Sequence, residues 1–186
     1  MIRRLLALSS VALAACSNDA NIERYPIPLL TTDTRIEIAA DTVEVRIVSL
    51  PLYAESEEVP LLGGDGALRT SADVLWADEP DRALSQALAR NLTEITSAVV
   101  AVEPWPLEGF PEARIEVRVD ALIAPPGGVL RFAGAWYAAE PGTPDQDRSA
   151  RFQFAQPLAG DGVPALAQAY AEVTRALART IAEGLR

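Results

Sequence analysis

Histidine and lysine are absent from this 186-residue chain, and cysteine occurs only once. Without histidine or a second cysteine, the chain cannot build a Cys/His zinc site, a Ser-His-Asp or Cys-His nucleophile, or a histidine general base. Without lysine it has no G-x-x-x-x-G-K-[ST] phosphate loop, so it is not itself an ATPase of that type. These absences leave few routes to catalysis and predict no cofactor and no metal site.

Long apolar runs are scarce as well. After the first 15 residues, no stretch reaches the roughly 18 apolar residues that cross a bilayer. The formal net charge is −10 at pH 7, which excludes nucleic acid as a partner because binding it requires clustered positive charge. The length suits one domain with a hydrophobic core of ordinary size.

Segment 1–15 has the composition of a secretory signal peptide. Arg3 and Arg4 form a short basic region, and the apolar run 5–14 has the length of an h-region, too short to span a bilayer. We therefore expect removal of residues 1–15 on export, which would change the formal charge from −10 to −12 because two arginines and no acid are lost.

Cys16, the only cysteine, follows Leu13, Ala14 and Ala15. Small residues directly before a cysteine resemble a bacterial lipobox, in which the thiol is diacylated, the signal is cut off and the new amino group is acylated. Two or three acyl chains anchor a protein stably, whereas one binds marginally. The alternative is an ordinary signal peptide with a free thiol, an unpaired reactive group in an oxidising compartment. Ser17 is not the aspartate of an inner-membrane retention signal, so we expect the periplasmic face of the outer membrane.

Residues 16–34 lack periodicity and contain Pro26 and Pro28, which predicts a lipidated tether. The remaining residues, 35–186, are predicted to form the folded domain. Alternation and apolar runs predict strands around 36–38 and at 42–50, 59–62, 67–70, 98–102, 114–124, 129–138 and 148–156. The run 98–102 is typical of a buried strand, and the last three strands predict an antiparallel meander.

Two helices complete the domain. The first is predicted to begin at 78–81, where acids and a proline suit a first turn, and Arg90 and Glu94 are predicted to pair four residues apart on its solvent side. The second runs from about Asp161 to the end of the chain. The predicted apolar stripes are Leu84, Leu88, Leu92 and Ile95 in the first helix, and Leu166, Tyr170, Val173, Leu177 and Ile181 in the second. The order β-β-α-β-β-β-β-α predicts an α/β (α+β) sandwich with a mainly antiparallel sheet covered by both helices.

Certain short strings, taken with the predicted anchor and this order of elements, carry a family resemblance. They are Leu50-Pro51, Trp76-Ala77-Asp78-Glu79-Pro80, the stripe from Leu84 to Leu92, Pro104-Trp105-Pro106, Ile115-Glu116-Val117-Arg118-Val119, Trp136 and Ala159-Gly160-Asp161-Gly162. Over roughly residues 42–186, the chain resembles the ABC-type transport auxiliary lipoproteins, the PqiC-like family of envelope lipid-transport systems.

The resemblance implies that the protein is not an enzyme. It implies the lipoprotein component of a transporter in which a permease and a separate ATPase work with an MCE-domain protein that forms a periplasmic conduit for lipids. The lipoprotein would dock that conduit at the outer membrane, and homo-oligomerisation is compatible with this role. A scaffold or assembly lipoprotein of another cell-envelope machine is the alternative.

Trp76 and Trp105 are candidate interface residues, because aromatic side chains flanked by proline on loops are common interface anchors. The alternative for each is a tryptophan that closes the edge of the core. An enzyme would instead need two carboxylates about 5 to 9 Å apart across a cleft, for which Asp78, Glu79 and Asp81, or the acids of segment 55–58, are the candidates. Such acids at helix starts and in loops are usually solvated caps. Lipid binding by the domain itself stays open, because alternation does not distinguish a packed core from a cavity.

Overall fold

The computed structural model describes residues 22–32, 34–142 and 144–186. These ranges contain the strands β1 (Glu23–Tyr25), β2 (Thr42–Val45), β3 (Leu61–Leu62), β4 (Leu68–Arg69), β5 (Val74–Trp76), β6 (Val99–Val102), β7 (Ala113–Ile123), β8 (Val129–Ala139) and β9 (Arg148–Pro157), and the helices α1 (Pro80–Ile95) and α2 (Gly162–Gly184). Within the described ranges, neither helix combines the length and apolarity needed to cross a membrane.

Five strands form the main sheet, in the order β6-β2-β7-β8-β9. The long ladders β7–β8 and β8–β9 are antiparallel, which confirms the predicted meander. β2 runs parallel to both of its neighbours, β6 and β7. These parallel pairs were not predicted. Between β2 and β6 the chain makes a long crossover that includes α1, as a parallel pair requires.

Both helices lie on one face of this sheet and bury its apolar side chains. Strand alternation directs Ile115, Val117, Leu122, Phe132 and Trp136 towards the helices, and all five are buried. The predicted stripe residues of α1 and α2 are buried as well. The sequence prediction of a sheet covered by two helices is therefore confirmed.

A β-bulge interrupts the β7–β8 ladder between Val119 and Ala121. Gly134 lies opposite Val119, and a Cβ atom at this glycine would lie 2.1 Å from the carbonyl oxygen of Arg118. The close approach of the two backbones therefore requires glycine. Because the bulge adds one residue, Val119 and Leu122 both point into the core.

The segment ahead of β2 crosses the ends of the helices. The amide of Ile36 donates to the carbonyl of Ile95 at 2.6 Å, and the guanidinium of Arg35 donates to the carbonyl of Thr96 at 2.6 Å. Residues 36–38 form no strand, contrary to the prediction. Their alternation instead reflects Ile36 buried against the core and Ile38 packed partly against it.

β1 and β5 form a second, two-stranded parallel sheet, in which Glu23 is paired with Val74 and Tyr25 with Trp76. β1 lies within the segment predicted as tether, and Ile27 also packs against the core. Three-residue strands are too short to show a period, so neither strand was predicted.

Two predicted strands are shorter in the structure. Of the predicted strand 42–50 only Thr42–Val45 is regular, with Ser49 in an isolated bridge to Arg118. The strands predicted at 59–62 and 67–70 reduce to the hairpin β3–β4. Across its turn, Arg69 donates to Asp65 at 2.6 Å and lowers the pKa of that carboxyl to about 2.

Candidate interaction surfaces

The predicted lipobox residues Leu13, Ala14 and Ala15 and the predicted acylation site Cys16 lie outside the described residues. The described residues nearest to them along the chain begin at Ile22, directly before β1. Acylation of Cys16 stays a prediction.

Trp76 ends β5 and is only 2% exposed. Its ring packs on Tyr170 of α2 with centroids 4.9 Å apart, and its amide donates to the carbonyl of Glu57 at 2.7 Å. Burial raises the pKa of Tyr170. The structure therefore places Trp76 in the core, which is the alternative that the sequence left open. A contact between Trp76 and a partner protein stays a prediction.

A cleft of about 160 Å³ lies beside Trp76, between segment 25–29 and the N-terminal half of α1. Tyr25 and Ile27 contribute apolar surface, whereas Asp78 and Arg90 are its charged residues. Pockets that hold drug-sized ligands have volumes of about 300–1,000 Å³. The cleft is smaller than this range, so it does not decide the question, left open by the sequence, of whether the domain binds lipid.

Trp105 lies in the loop between β6 and β7, and this loop is unusually apolar at its surface. Phe110 is 85% exposed and Leu107 is 51% exposed. Trp105 itself is half-buried, and its indole nitrogen is buried without an acceptor among the described residues. Exposed apolar side chains grouped on one loop are typical of interaction sites. The proline-flanked tryptophan was identified from the sequence, whereas Phe110 was not.

The sheet face opposite the helices carries a network of ion pairs. Arg46 lies 3.3 Å from Glu103 and 3.8 Å from Glu116, and Glu116 lies 2.6 Å from Arg118. Glu116 raises the pKa of Arg118, whose guanidinium lies 5.1 Å from the centre of the Tyr137 ring. We call this surface the open face, because neither α1 nor α2 covers it.

One ion pair of the open face is buried on its acidic side. Glu44 of β2 is 6% exposed and accepts a hydrogen bond from Arg114 of β7. A carboxylate removed from water needs a paired charge, because its desolvation is costly. Arg114 therefore fixes the pairing of β2 with β7 as well as neutralising Glu44.

Three of the six acids considered for hydrolysis make structural contacts. Asp78 pairs with Arg82 at 3.3 Å, Asp81 accepts from the amide of Arg82 at 2.6 Å, and Glu57 pairs with Arg24 at 3.1 Å. These are the contacts of helix-start and surface acids. Across the described ranges, no cluster of three or more potential metal-ligating side chains is found.

β6 forms one edge of the main sheet, although its sequence is typical of a buried strand. Val99 is 53% exposed, and Val100 and Val102 are only partly buried. The prediction of a buried strand is wrong at this edge, because α1 covers one face of β6 and leaves its outer edge free. The spacing of apolar residues does not report the position of a strand in the sheet.

The predicted Arg90–Glu94 pair does not form. Arg90 is exposed and has no ion-pair partner among the described residues, whereas one carboxylate oxygen of Glu94 is buried without a hydrogen-bond donor among them. Spacing of four residues brings two side chains to one side of a helix, but neighbouring elements decide where each one points. Arg90 lies beside β6 in a groove between helix and strand.

The sequence model of one protein family, described as "ABC-type transport auxiliary lipoprotein component", matches residues 28–182. The chain belongs to this family. The search of curated proteins found no match. The chain is therefore an auxiliary lipoprotein component of an ABC-type transport system. This membership places it in the cell envelope.

Two solved structures show the same fold. One is a crystal structure described as an uncharacterized protein, 20% identical, covering 89% of this chain and 99% of that chain with a TM-score of 0.71. The other is protein XCC0632 from Xanthomonas campestris, of the DUF330 family, 14% identical, covering 86% of this chain and 92% of that chain with a TM-score of 0.65. At these identities the likeness shows the fold alone.

Proposed function

We propose that the protein is a non-enzymatic lipoprotein that is anchored through acylated Cys16 and docks an MCE-domain conduit at the periplasmic face of the outer membrane. In this role it serves an ABC-type system that moves lipids through the cell envelope. The observation that carries the proposal is the family match over residues 28–182. The lipobox-like residues ahead of Cys16 support the anchor.

The surfaces of the domain support docking rather than catalysis. The chain has no histidine, and Asp78 and Asp81 at the start of α1 are engaged by Arg82 and backbone amides. Phe110 and Leu107 present apolar side chains on a loop, as protein interfaces do. The proposed partners are the MCE-domain protein and, through it, the permease and ATPase.

The anchor is tested by metabolic labelling with a fatty-acid analogue. The unaltered protein should carry the label and sediment with membranes, whereas Cys16→Ala should carry none. Ser17→Ala is the matched control, because it changes the adjacent residue and keeps the thiol. Label on Cys16→Ala, or no label on the unaltered protein, would contradict the proposed anchor.

Docking is tested by capture of an MCE-domain protein on the acylated protein. We expect enrichment over an unrelated outer-membrane lipoprotein of similar charge, and reduced enrichment for Phe110→Ser. Separation of inner and outer membranes tests the location in the same cells. Equal capture by both lipoproteins would favour the alternative role as a scaffold of another envelope machine.

A further inference from the structure

The loop between β6 and β7, segment 103–112, is fixed at both ends. β6 and β7 lie on opposite sides of β2 and run parallel to it, so this segment crosses β2 from one end to the other. At the start of the loop, the Glu103 carboxylate accepts from the amide of Ile47 at 2.8 Å. At its end, the Glu112 carboxylate accepts from the amide of Asp41 at 2.7 Å. Both contacts are made to residues that flank β2, so the loop is held in place before any partner binds.

This fixed loop carries Phe110 into the solvent. Phe110 is 85% exposed, whereas Pro111, directly after it, is buried and holds the adjacent backbone against the domain. A side chain on a fixed loop loses less conformational entropy on binding than one on a mobile loop. Aromatic side chains that fill a pocket of a partner carry much of the binding energy of an interface. Phe110 therefore suits a partner that offers an apolar pocket.

A recess with two carboxylates lies beside Phe110. Its volume is about 330 Å³, and Glu112 and Glu140 are among its lining residues. The two glutamates come together because the start of β7 is paired with the end of β8. Glu112 is two residues from Phe110, so the backbones at these positions lie within about 7 Å of each other. A protein interface of ordinary size, about 800 Å² on each partner, would cover both the ring and the recess.

Acids outnumber arginines in the described part of this end of the domain. The acids that line or flank the recess are Asp41, Glu108, Glu112, Glu140, Asp145 and Asp147. The arginines there are Arg114, Arg148 and Arg186. Arg114 is already paired with Glu44, and Arg148 donates to the carbonyl of Gln146 at 3.0 Å. Six acids against three arginines leave an excess of negative charge, even with Arg114 counted as free.

We propose that Phe110 and the recess between Glu112 and Glu140 bind a folded protein whose surface has an apolar pocket with arginine or lysine beside it. Phe110 fills the pocket, and the partner's cation enters the recess between the two glutamates. The inference rests on the proposed docking role and adds the chemistry of the partner surface. It holds for any such partner, whether or not that partner is an MCE-domain protein.

Charge favours this partner over a bilayer or a second copy of the chain. Glu108 and Glu112 lie two residues on either side of Phe110, whereas segments that insert into a membrane surface carry lysine or arginine beside their apolar residues. A second copy has the same net charge of −10, which opposes its approach to an acidic surface. A basic surface is instead attracted to these acids from a distance.

The test places the photocrosslinking amino acid p-benzoylphenylalanine at position 110 of the full-length protein in its own membrane. The benzophenone group reacts with C–H bonds that lie against it, in protein or in lipid. Leu52 is the matched control position, because it is 84% exposed and lies towards the other end of β7, where the Leu122 amide donates to the Tyr53 hydroxyl at 3.1 Å. We expect a product from position 110 and none of the same kind from position 52. The crosslinked residue of the partner, located by mass spectrometry, should be apolar and lie within about 10 Å of an arginine or lysine.

Two double variants test the charge in the same experiment. Glu112→Gln with Glu140→Gln removes the charge of the recess and keeps an oxygen that can accept from the Asp41 amide. This pair should lower the crosslinking yield at position 110 about two- to fivefold. Glu55→Gln with Glu57→Gln, which removes the same charge near Leu52, should leave that yield unchanged.

The outcomes separate the inference from the proposed function. A crosslink to an MCE-domain protein at an apolar residue beside a cation would support both. A crosslink of that kind to another protein would support the inference and overturn the proposed MCE partner. The inference itself is overturned by no product at position 110, by a crosslink to phospholipid or to a second copy, by a partner residue far from any cation, or by an unchanged yield in the Glu112 and Glu140 double variant. Capture of an MCE-domain protein by the unaltered lipoprotein would, in those cases, still support the proposed function.

Discussion

The two faces of the main sheet are built from the same strands but are held by different forces. On the face covered by the helices, Ile115 and Leu122 are fully buried, and burial of such side chains contributes about 1.5–3 kcal/mol each. On the open face, Arg118 and Arg151 form ion pairs that are exposed to water, and these contribute much less because water screens their attraction. The covered face therefore determines stability, whereas the open face is free to change with a partner.

The largest difference in stability is expected when one side chain is truncated on each face of β7. Leu122→Ala should lower the free energy of unfolding by about 2–5 kcal/mol, because it leaves a cavity in the covered face. Arg118→Ala, four residues earlier on the open face, should lower it much less, because water screens its ion pair with Glu116. Chemical denaturation measures both. Equal losses would show that the open face is structurally as important as the core.

Gly134→Ala tests how closely the two long strands approach at the bulge. A Cβ at this position would meet the carbonyl oxygen of Arg118 at 2.1 Å, and backbone cannot move aside as a side chain can. We expect the free energy of unfolding to fall by about 1–3 kcal/mol or more, as measured by thermal unfolding. Gly64→Ala is the matched control, because a Cβ there would meet nothing within 4 Å. An undisturbed Gly134→Ala protein would contradict the described register of β7 and β8.

Glu44→Gln tests the ion pair of the open face whose carboxylate is buried. Because Glu44 is buried and Arg114 is partly exposed, we expect the free energy of unfolding to fall by about 1–3 kcal/mol. This lies between the values for fully buried and surface ion pairs. Asp120→Asn, which weakens the exposed pair with Arg151, is the comparison and should change stability by less than about 1 kcal/mol. If the order of the two losses were reversed, burial would not be what distinguishes the pairs.

The smallest expected effect is a pH dependence at the β3–β4 hairpin. Arg69 lowers the pKa of Asp65 from 3.8 to about 2, so the folded state holds this carboxylate ionised more strongly than the unfolded chain does. Its contribution is therefore present above about pH 4 and is lost as the pH falls towards 2. NMR titration of the Asp65 carboxyl carbon measures the pKa, and Arg69→Gln should return it towards 3.8. An unchanged pKa of Asp65 in that variant would show that the ion pair with Arg69 does not cause the shift.

The sequence predicted the long elements well and the short ones poorly, for physical reasons. Ten or eleven residues of alternation in β7, β8 and β9 and four-residue spacing in α1 and α2 leave few other structures. By contrast, Ile36 and Ile38 alternate without forming a strand, because the backbone of Ile36 bonds to the end of α1. β1 and β5 have three residues each, so only a tertiary partner reveals them.

The candidate surfaces were less predictable, because exposure depends on which elements meet. Trp76 and Trp105 have similar proline-containing surroundings in the sequence, yet the first packs on Tyr170 and the second lies in a surface loop. The edge position of β6 follows from strand order, which spacing along the chain does not contain. Acylation of Cys16, in contrast, is a prediction from local sequence alone.

The parallel pairing of β1 with β5 has a mechanical consequence for an anchored protein. Only six residues separate Cys16 from Glu23, a reach of roughly 20 Å when extended. A force along β1 would act in shear on all of its hydrogen bonds to β5 at once, instead of breaking them one after another. Tension from a bilayer would thus pass directly to the strand that ends in Trp76, and from there to α2.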